Sequence, residues 1–184
     1  NNSKKQKRNL EQLLELTKRY YVQQKFEQLG KELEKIAKKQ KDQSDKSGTK
    51  NKKEDQDKLN EEYKNWEEEL KELEDENDGL KEPMPMEFEP EESKEIKEEQ
   101  KQSSNDLENS KTPHAKKKQK SASEKMQKQA ASMSAQMSAM SQEAMKEDSQ
   151  SLRQILDNLI VFSKKEEDLM ESTKEMSRLS SNLG

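Results

Sequence analysis

A stripe of apolar residues with heptad spacing runs through an otherwise charged segment near the middle of the chain. Its members are separated alternately by four and three residues, which places them along one face of an α-helix, as in coiled coils. They are Leu59, Tyr63, Trp66, Leu70, Leu73, Asn77 and Leu80. We predict an acidic heptad helix over residues 54–82, with the first five members in a helix–helix interface. Asn77 is predicted either to fix the register as a buried amide or to cap the helix.

The composition excludes a thick globular core. Of the 184 residues, 41% are charged and 26% are hydrophobic, whereas an ordinary globular domain is roughly 45–50% apolar. Two outcomes remain, namely long helices that each bury one narrow stripe, or disorder. Gly and Pro number only four each, and the abundant Glu, Lys, Gln, Leu, Met and Ala favour helix. We therefore predict an all-α fold of extended helices with heptad pairing, separated by flexible linkers.

The N-terminal segment, residues 1–41, combines a basic bias with a second apolar stripe. The pattern predicts a helix from about Asn9 to about Lys41. Its predicted interface residues are Val22, Phe26, Leu29, Leu33 and Ile36. Gly30 lies inside the stripe, where it costs about 1 kcal/mol relative to Ala, and this suggests that another backbone approaches closely. Residues 42–53 are predicted to be a linker.

Residues 83–90 contain three prolines, which remove amide donors and exclude the α conformation from the residue before each. We predict an extended linker. Met84, Met86 and Phe88 alternate along it, so one side of the segment is expected to lie along a groove. Residues 91–111 carry only a thin apolar stripe and are predicted to be a weak helix or disordered.

Residues 112–184 are predicted to form one long helical segment, because Thr112 followed by Pro113 is typical of a helix N-terminus. Its first part is rich in Met and Ala, and its last part is rich in Leu and Ile. The predicted interface residues are Met133, Met137, Met140, Leu152, Ile155, Leu159, Phe162 and Leu169. We expect the Leu/Ile-rich part to be the most core-like region of the protein.

Charge is segregated along the chain, although the net charge is only −4. Basic residues dominate 1–41 and the lysine cluster Lys116–Lys120, whereas acidic residues dominate 54–108. Opposite signs on successive helices favour an antiparallel hairpin or a lateral partner. Nucleic acid is not an expected partner, since the chain lacks a positive excess and the lysine cluster lacks interleaved aromatic residues. We expect this cluster to be solvated or to pair with the acidic heptad helix.

No residue pattern indicates catalysis. The chain has no Cys and a single histidine, His114, which is predicted to be an exposed residue in the first turn of a helix. Carboxylate runs such as Glu67–Glu69 would need a desolvated pocket to act as acid and base. Methionines at heptad spacing fit a helix seam better than a copper(I) site. We predict no enzyme activity, no catalytic residue, no cofactor, no metal and no small-molecule substrate.

Four strings occur in the chain in this order: LEQLLELTKRYY at residues 10–21, KKKQKSA at 116–122, LRQILDNL at 152–159 and EDLM at 167–170. They resemble the central coiled-coil region of a family of large Bacteroidetes proteins with no assigned function. The resemblance implies a piece of a membrane-anchored protein at the cell envelope, with transmembrane helices ahead of a long soluble part.

The chain itself is expected to be a soluble fragment of a longer protein, because it lacks an initiator Met and an N-terminal signal sequence. Its longest apolar run, Leu159–Phe162, is far shorter than the roughly 20 residues that span a bilayer. Membrane attachment is therefore expected to come from segments outside this sequence.

These patterns predict a non-catalytic structural or scaffold region. It would act through helix–helix contacts within the chain, with a second copy or with another protein. The competing hypothesis is a lipid- or polyanion-binding module that uses the lysine cluster together with the Met stripe, residues 126–145.

Overall fold

A computed structural model describes the backbone of residues 2–181 and the side chains of residues 4–142 and 152–174. Over these residues the chain is helical and contains no strand. The elements are α1 (Asn2–Asp45), a short 3-10 helix (Gly48–Lys50), α2 (Lys53–Asp78), α3 (Pro90–Glu108) and α4 (Thr112–Ser181). The predicted all-α class is confirmed.

The connection between α1 and α2 is shorter than the predicted linker 42–53. Helix α1 continues to Asp45 and α2 begins at Lys53. The last turn of α1 is held by tertiary contacts, because the Gln43 side chain donates to Asn51 Oδ1 at 2.8 Å and to the Lys52 carbonyl at 3.2 Å. Helix α2 ends at Asp78, earlier than the predicted boundary at residue 82.

Prolines separate α2 from α3. Residues 79–89 contain no helix, since Pro83 and Pro85 exclude it. Pro90 is the first residue of α3, a position at which the missing amide hydrogen breaks no helical hydrogen bond. The segment predicted to be a weak helix or disordered is therefore helical over Pro90–Glu108.

A tight turn centred on Ser110 joins α3 to α4. Ser110 has a φ of 59°, the left-handed conformation that commonly ends a helix. The Lys111 amide donates to the Asp106 carbonyl at 2.7 Å, and the Ser110 amide donates to the Leu107 carbonyl at 3.1 Å. These are the two hydrogen bonds of a Schellman motif. Helix α4 then begins at Thr112.

The chain divides into two compact units. Unit 1 comprises Asn1–Leu16 and Gln142–Gly184, and unit 2 comprises Thr17–Ser141. The described part of unit 1 consists of two helical segments, one from α1 and one from α4. Unit 2 contains the rest of these two helices together with α2 and α3.

Unit 2 is a four-helix bundle in which successive helices are antiparallel. In each pair of neighbouring helices, contacts at higher residue numbers on one helix are made to lower residue numbers on the other. The pairs are Lys25–Glu69 and Lys39–Glu62 for α1–α2, Glu67–Lys97 and Asn60–Ser104 for α2–α3, Glu95–Lys125 and Glu92–Lys128 for α3–α4, and Gly30–Met133 and Ala37–Ser123 for α1–α4.

Candidate functional site

The ten interface residues predicted on α1 and α2 all lie in the core of unit 2, each 6% exposed or less. Trp66 is the largest of them and is 1% exposed. Its indole Nε1 donates to the Leu29 carbonyl at 2.9 Å, and its ring stacks on Tyr63 with a centroid distance of 5.4 Å. Trp66 therefore connects α2 to α1 both by packing and by a hydrogen bond.

The methionines of α4 complete this core. Met133 and Met140 are buried, and Met137 is partly buried. A Cβ built on Gly30 would lie 3.5 Å from the Cβ of Met133, which is van der Waals contact without a clash. Helices α1 and α4 are thus close neighbours at Gly30, but their distance does not require a glycine.

The Leu/Ile-rich part of α4 was expected to be the most core-like region of the protein. This expectation is wrong, because most of its large apolar side chains are exposed. In unit 1, Leu152, Leu159 and Leu169 are 50%, 52% and 68% exposed. Ile155 is buried and Phe162 is half-buried. The described part of unit 1 contains only two helical segments, so a broad apolar stripe has too few neighbours there to be covered.

A layer of buried glutamines crosses the bundle of unit 2, with one residue from each helix. The four residues of this glutamine layer are Gln40, Gln56, Gln100 and Gln119, each at most 1% exposed. Gln40 and Gln56 donate to each other at 2.8 and 2.9 Å. Gln100 donates to Gln40 Oε1 at 3.1 Å, and Gln119 donates to Gln56 Oε1 at 2.9 Å. Every helix is therefore tied into one amide network.

The network continues into the α1–α2 connection. Asn51 is 5% exposed and donates to Gln119 Oε1 at 2.7 Å, and Gln119 donates back to Asn51 Oδ1 at 3.0 Å. No buried nitrogen or oxygen atom of the glutamine layer lacks a hydrogen-bond partner. Such satisfaction removes the penalty that an unpaired buried amide would carry.

The glutamine layer was not predicted, although its signal is present in the spacing of the sequence. Gln40 follows Ile36 by four residues, Gln56 precedes Leu59 by three, and Gln100 follows Ile96 by four. Each glutamine therefore continues the heptad stripe of its helix. Among the amide side chains, only Asn77 was predicted to lie in a core position.

Asn77 holds the Pro-rich segment against the bundle. Its side chain donates to the Met84 carbonyl at 3.0 Å and accepts from the Met84 amide at 2.9 Å. Met84 is buried, and Phe88 lies 6.0 Å from the Trp66 ring. The non-helical part of the segment 83–90 is consequently packed against the core, and its alternating side chains Met84, Met86 and Phe88 make the expected groove contact.

A second polar contact inside the core connects three helices. The Tyr63 hydroxyl donates to Gln129 Oε1 at 3.2 Å, and Gln129 Nε2 donates to Ser93 Oγ at 3.3 Å. Burial raises the pKa of the Tyr63 hydroxyl, because desolvation disfavours the phenolate. Tyr63 is therefore held in its neutral, hydrogen-bonding form.

Ion pairs at the surface of unit 2 join basic helices to acidic ones, as the charge segregation suggested. Lys125 of α4 lies 2.7 Å from Glu95 and 3.0 Å from Glu99 of α3. The hydrogen bond to Glu95 raises the pKa of Lys125, and the same contact lowers the pKa of Glu95. The Lys125–Glu95 pair is exposed and the Lys125–Glu99 pair is partly buried, and an exposed pair contributes little to stability.

In the part of the chain that the structure describes, the lysine cluster forms no ion pair with the acidic heptad helix, which was one of the two arrangements expected for it. Lys117 and Lys120 are exposed, and Lys120 lies 4.0 Å from Glu124 of its own helix. Among the described residues, the ion pairs of α4 with another helix involve Lys125 and Lys128 and reach α3, not α2. His114 is exposed in the first turn of α4.

Within the described ranges, no group of three or more His, Cys, Asp or Glu side chains is arranged to hold a metal ion. A search of the same residues also found no helical stretch both long and apolar enough to cross a lipid bilayer. No match to this chain was found among protein-family models, curated proteins or solved structures.

Proposed function

We propose that this chain is a non-catalytic structural module of a larger, envelope-associated protein and that it acts through helix–helix contacts. The observation that carries the proposal is the core of unit 2, where the apolar seams of four helices surround the glutamine layer. The envelope assignment is supported by the sequence resemblance alone.

The glutamine layer favours a structural role because amides neither titrate nor act as nucleophiles. Each amide has fixed donors and acceptors. If one helix slid by a turn, buried amides would lose their partners at a cost of about 1–3 kcal/mol each. Buried polar residues at heptad positions are known to fix the register of packed helices in this way. A module that holds other parts of a protein at defined positions requires such a fixed register.

Circular dichroism and Trp66 fluorescence test this proposal on the 184-residue chain. We expect a predominantly helical spectrum, a cooperative loss of helix on heating, and Trp66 emission that is shielded from acrylamide because the ring is buried. A random-coil spectrum, or a Trp66 that acrylamide quenches as readily as free tryptophan, would contradict the proposal.

The competing lipid- or polyanion-binding hypothesis loses three methionines of its proposed surface. Met126, Met133 and Met140 lie in the core of unit 2, so they are unavailable to a lipid, whereas Lys117 and Lys120 are exposed. Co-sedimentation with anionic vesicles and with a polyanion across a salt series separates the two functions. Binding that fades with salt, and that is lost when the four lysines of the cluster are replaced by Gln, would favour the alternative.

A further inference from the structure

Unit 1 exposes a large apolar surface. Ten of its large apolar side chains are between 43% and 68% exposed. They are Leu10, Leu13, Leu14, Leu152, Leu156, Leu159, Ile160, Val161, Leu169 and Met170. Because full burial of one such side chain removes roughly 60–120 Å² from water, the ten together offer about 300–600 Å² of apolar surface. Patches of this size on a monomer commonly mark interaction sites.

Helix α4 carries two apolar stripes in unit 1. With roughly 100° between successive residues of a helix, Ile155 and Phe162 lie on one stripe, and Leu152, Leu156 and Ile160 lie on another about 100° away. The first stripe is buried or half-buried, and the residues of the second are 47–57% exposed. Two stripes at this angle are typical of a helix with two neighbours, as in a four-helix bundle.

A groove of about 360 Å³ lies between the two segments of unit 1, lined in part by Leu10, Leu13 and Leu159. A small apolar ligand could fill this volume. It would nevertheless leave six of the ten exposed side chains uncovered, since Leu14, Leu152, Leu156, Ile160, Leu169 and Met170 do not line the groove. A larger partner with its own helices accounts for both the groove and the second stripe.

The charges of unit 1 are complementary to each other. The first described turns of α1 carry Lys4, Lys5, Lys7 and Arg8, and the α4 run 166–171, which Lys165 precedes and Lys174 follows, carries Glu166, Glu167, Asp168 and Glu171. A second copy therefore brings a basic segment and an acidic segment that can each face its opposite. Such complementarity favours the association of like chains over a partner of a single charge sign.

From these observations we infer that unit 1 pairs with unit 1 of a second copy of this chain, so that two α1 segments and two α4 segments enclose one apolar core. A second copy supplies the two helical neighbours that unit 1 lacks. Homodimer interfaces are about 65% apolar. If the exposed apolar surface of both copies is buried at that proportion, the dimer buries roughly 900–1,800 Å² in total, which lies within the range of stable dimers. The inference rests on the proposed function, because it names the partner of the helix–helix contacts.

Analytical ultracentrifugation of the chain and of two matched variants tests this dimer. Leu156 lies on the second stripe and is 57% exposed, whereas Gln154 is exposed, does not line the groove and lies on the opposite side of α4 from that stripe. We expect the unaltered chain to dimerise, Leu156→Glu to raise the dissociation constant at least about tenfold, and Gln154→Glu, which adds the same charge, to leave it unchanged. Circular dichroism of each sample reports whether the fold is retained.

A chain that is helical but monomeric at all concentrations would overturn the dimer and leave the proposed function intact. Equal weakening by both variants would also overturn it, as would a monomer that binds phosphatidylcholine vesicles or dodecanoate through this surface. Loss of helix in the unaltered chain would instead contradict the proposed function itself.

Discussion

Units 1 and 2 are built from similar heptad sequences but differ in how many helices surround each apolar stripe. Leu29 and Leu33 in unit 2 are fully buried, whereas Leu10 and Leu152 in unit 1 are 67% and 50% exposed. In unit 2 each helix has helical neighbours on two sides, whereas each of the two described segments of unit 1 has one such neighbour. The number of neighbours, and not the apolar content of the stripe, therefore decides whether a leucine is buried.

The two units also differ in how their stripes are specified. The core of unit 2 mixes aromatic, aliphatic and Met side chains with a glutamine layer, so only one register satisfies its amides. The described stripes of unit 1 are formed mainly by aliphatic residues, and aliphatic contacts are tolerant of shifts in register. Unit 2 is thus specified within one chain, and unit 1 is suited to a contact with another.

The largest expected effect is a difference between the two units in the stability lost when an apolar side chain is truncated. Trp66→Ala should lower the free energy of unfolding by about 3–5 kcal/mol, because it leaves a cavity in a closed core and removes the hydrogen bond to Leu29. Leu159→Ala should change it by no more than about 0.5 kcal/mol, since Leu159 is half exposed. Urea unfolding followed by circular dichroism, at concentrations low enough to keep the chain monomeric, measures both. Equal costs would remove the contrast between the units.

The glutamine layer gives the next largest effect. Gln100→Leu should cost about 1–3 kcal/mol in unfolding free energy, because its hydrogen bonds to Gln40 Oε1 and to the Leu59 carbonyl are lost inside the core, while Gln40 Oε1 keeps its donor from Gln56. Gln102→Leu on the same helix provides the control and should have little effect, because Gln102 is only half-buried and its hydrogen bond to Glu98 lies at the surface. Denaturant titration of both variants tests whether the layer, rather than helix α3 in general, is responsible. A stabilised Gln100→Leu protein would argue that the amides do not determine register.

Helices and seams could be predicted from the sequence because each depends on local spacing. The stripe from Leu59 to Leu73 predicted α2, and Thr112–Pro113 predicted the start of α4. The glutamine layer depends on four residues distant in sequence that share one level of the bundle, and this level is known only once the helix registers are known. The exposure of Leu159 could not be predicted either, since a stripe specifies that a face needs cover but not whether the same chain provides it.

Asn77→Ala should release the Pro-rich segment from unit 2 and cost about 1–2 kcal/mol, because two hydrogen bonds to the Met84 backbone are lost. Hydrogen exchange provides the local measurement, and the Met84 amide should exchange markedly faster in the variant. Asn65→Ala, an exposed site on α2, should leave that amide protected. Unchanged protection in Asn77→Ala would mean that packing of Met84 and Phe88 is sufficient to hold the segment.

High pH should weaken the core of unit 2 through Tyr63. The pKa of this hydroxyl is raised in the folded state above an unfolded value of about 10, so its contribution is complete below pH 10 and declines as the pH rises further. The expected loss is about 1.4 kcal/mol for each pH unit above 10. Urea unfolding between pH 9 and about pH 11 measures it, and Tyr63→Phe should flatten the pH dependence. An unchanged slope in that variant would assign the alkaline loss to the lysines.

Gly30→Ala should have the smallest effect and the opposite sign. A Cβ at this position would meet the Met133 Cβ at 3.5 Å, so it adds contact without strain, and alanine is a better helix former than glycine by about 1 kcal/mol. We expect a rise in unfolding free energy of up to about 1 kcal/mol. Gly48→Ala is the matched control, and it should destabilise the protein because Gly48 has a φ of 44°, which alanine adopts only at a cost. If Gly30→Ala were also destabilising in thermal and urea unfolding, helices α1 and α4 would have to pack more closely in unit 2 than these contacts imply.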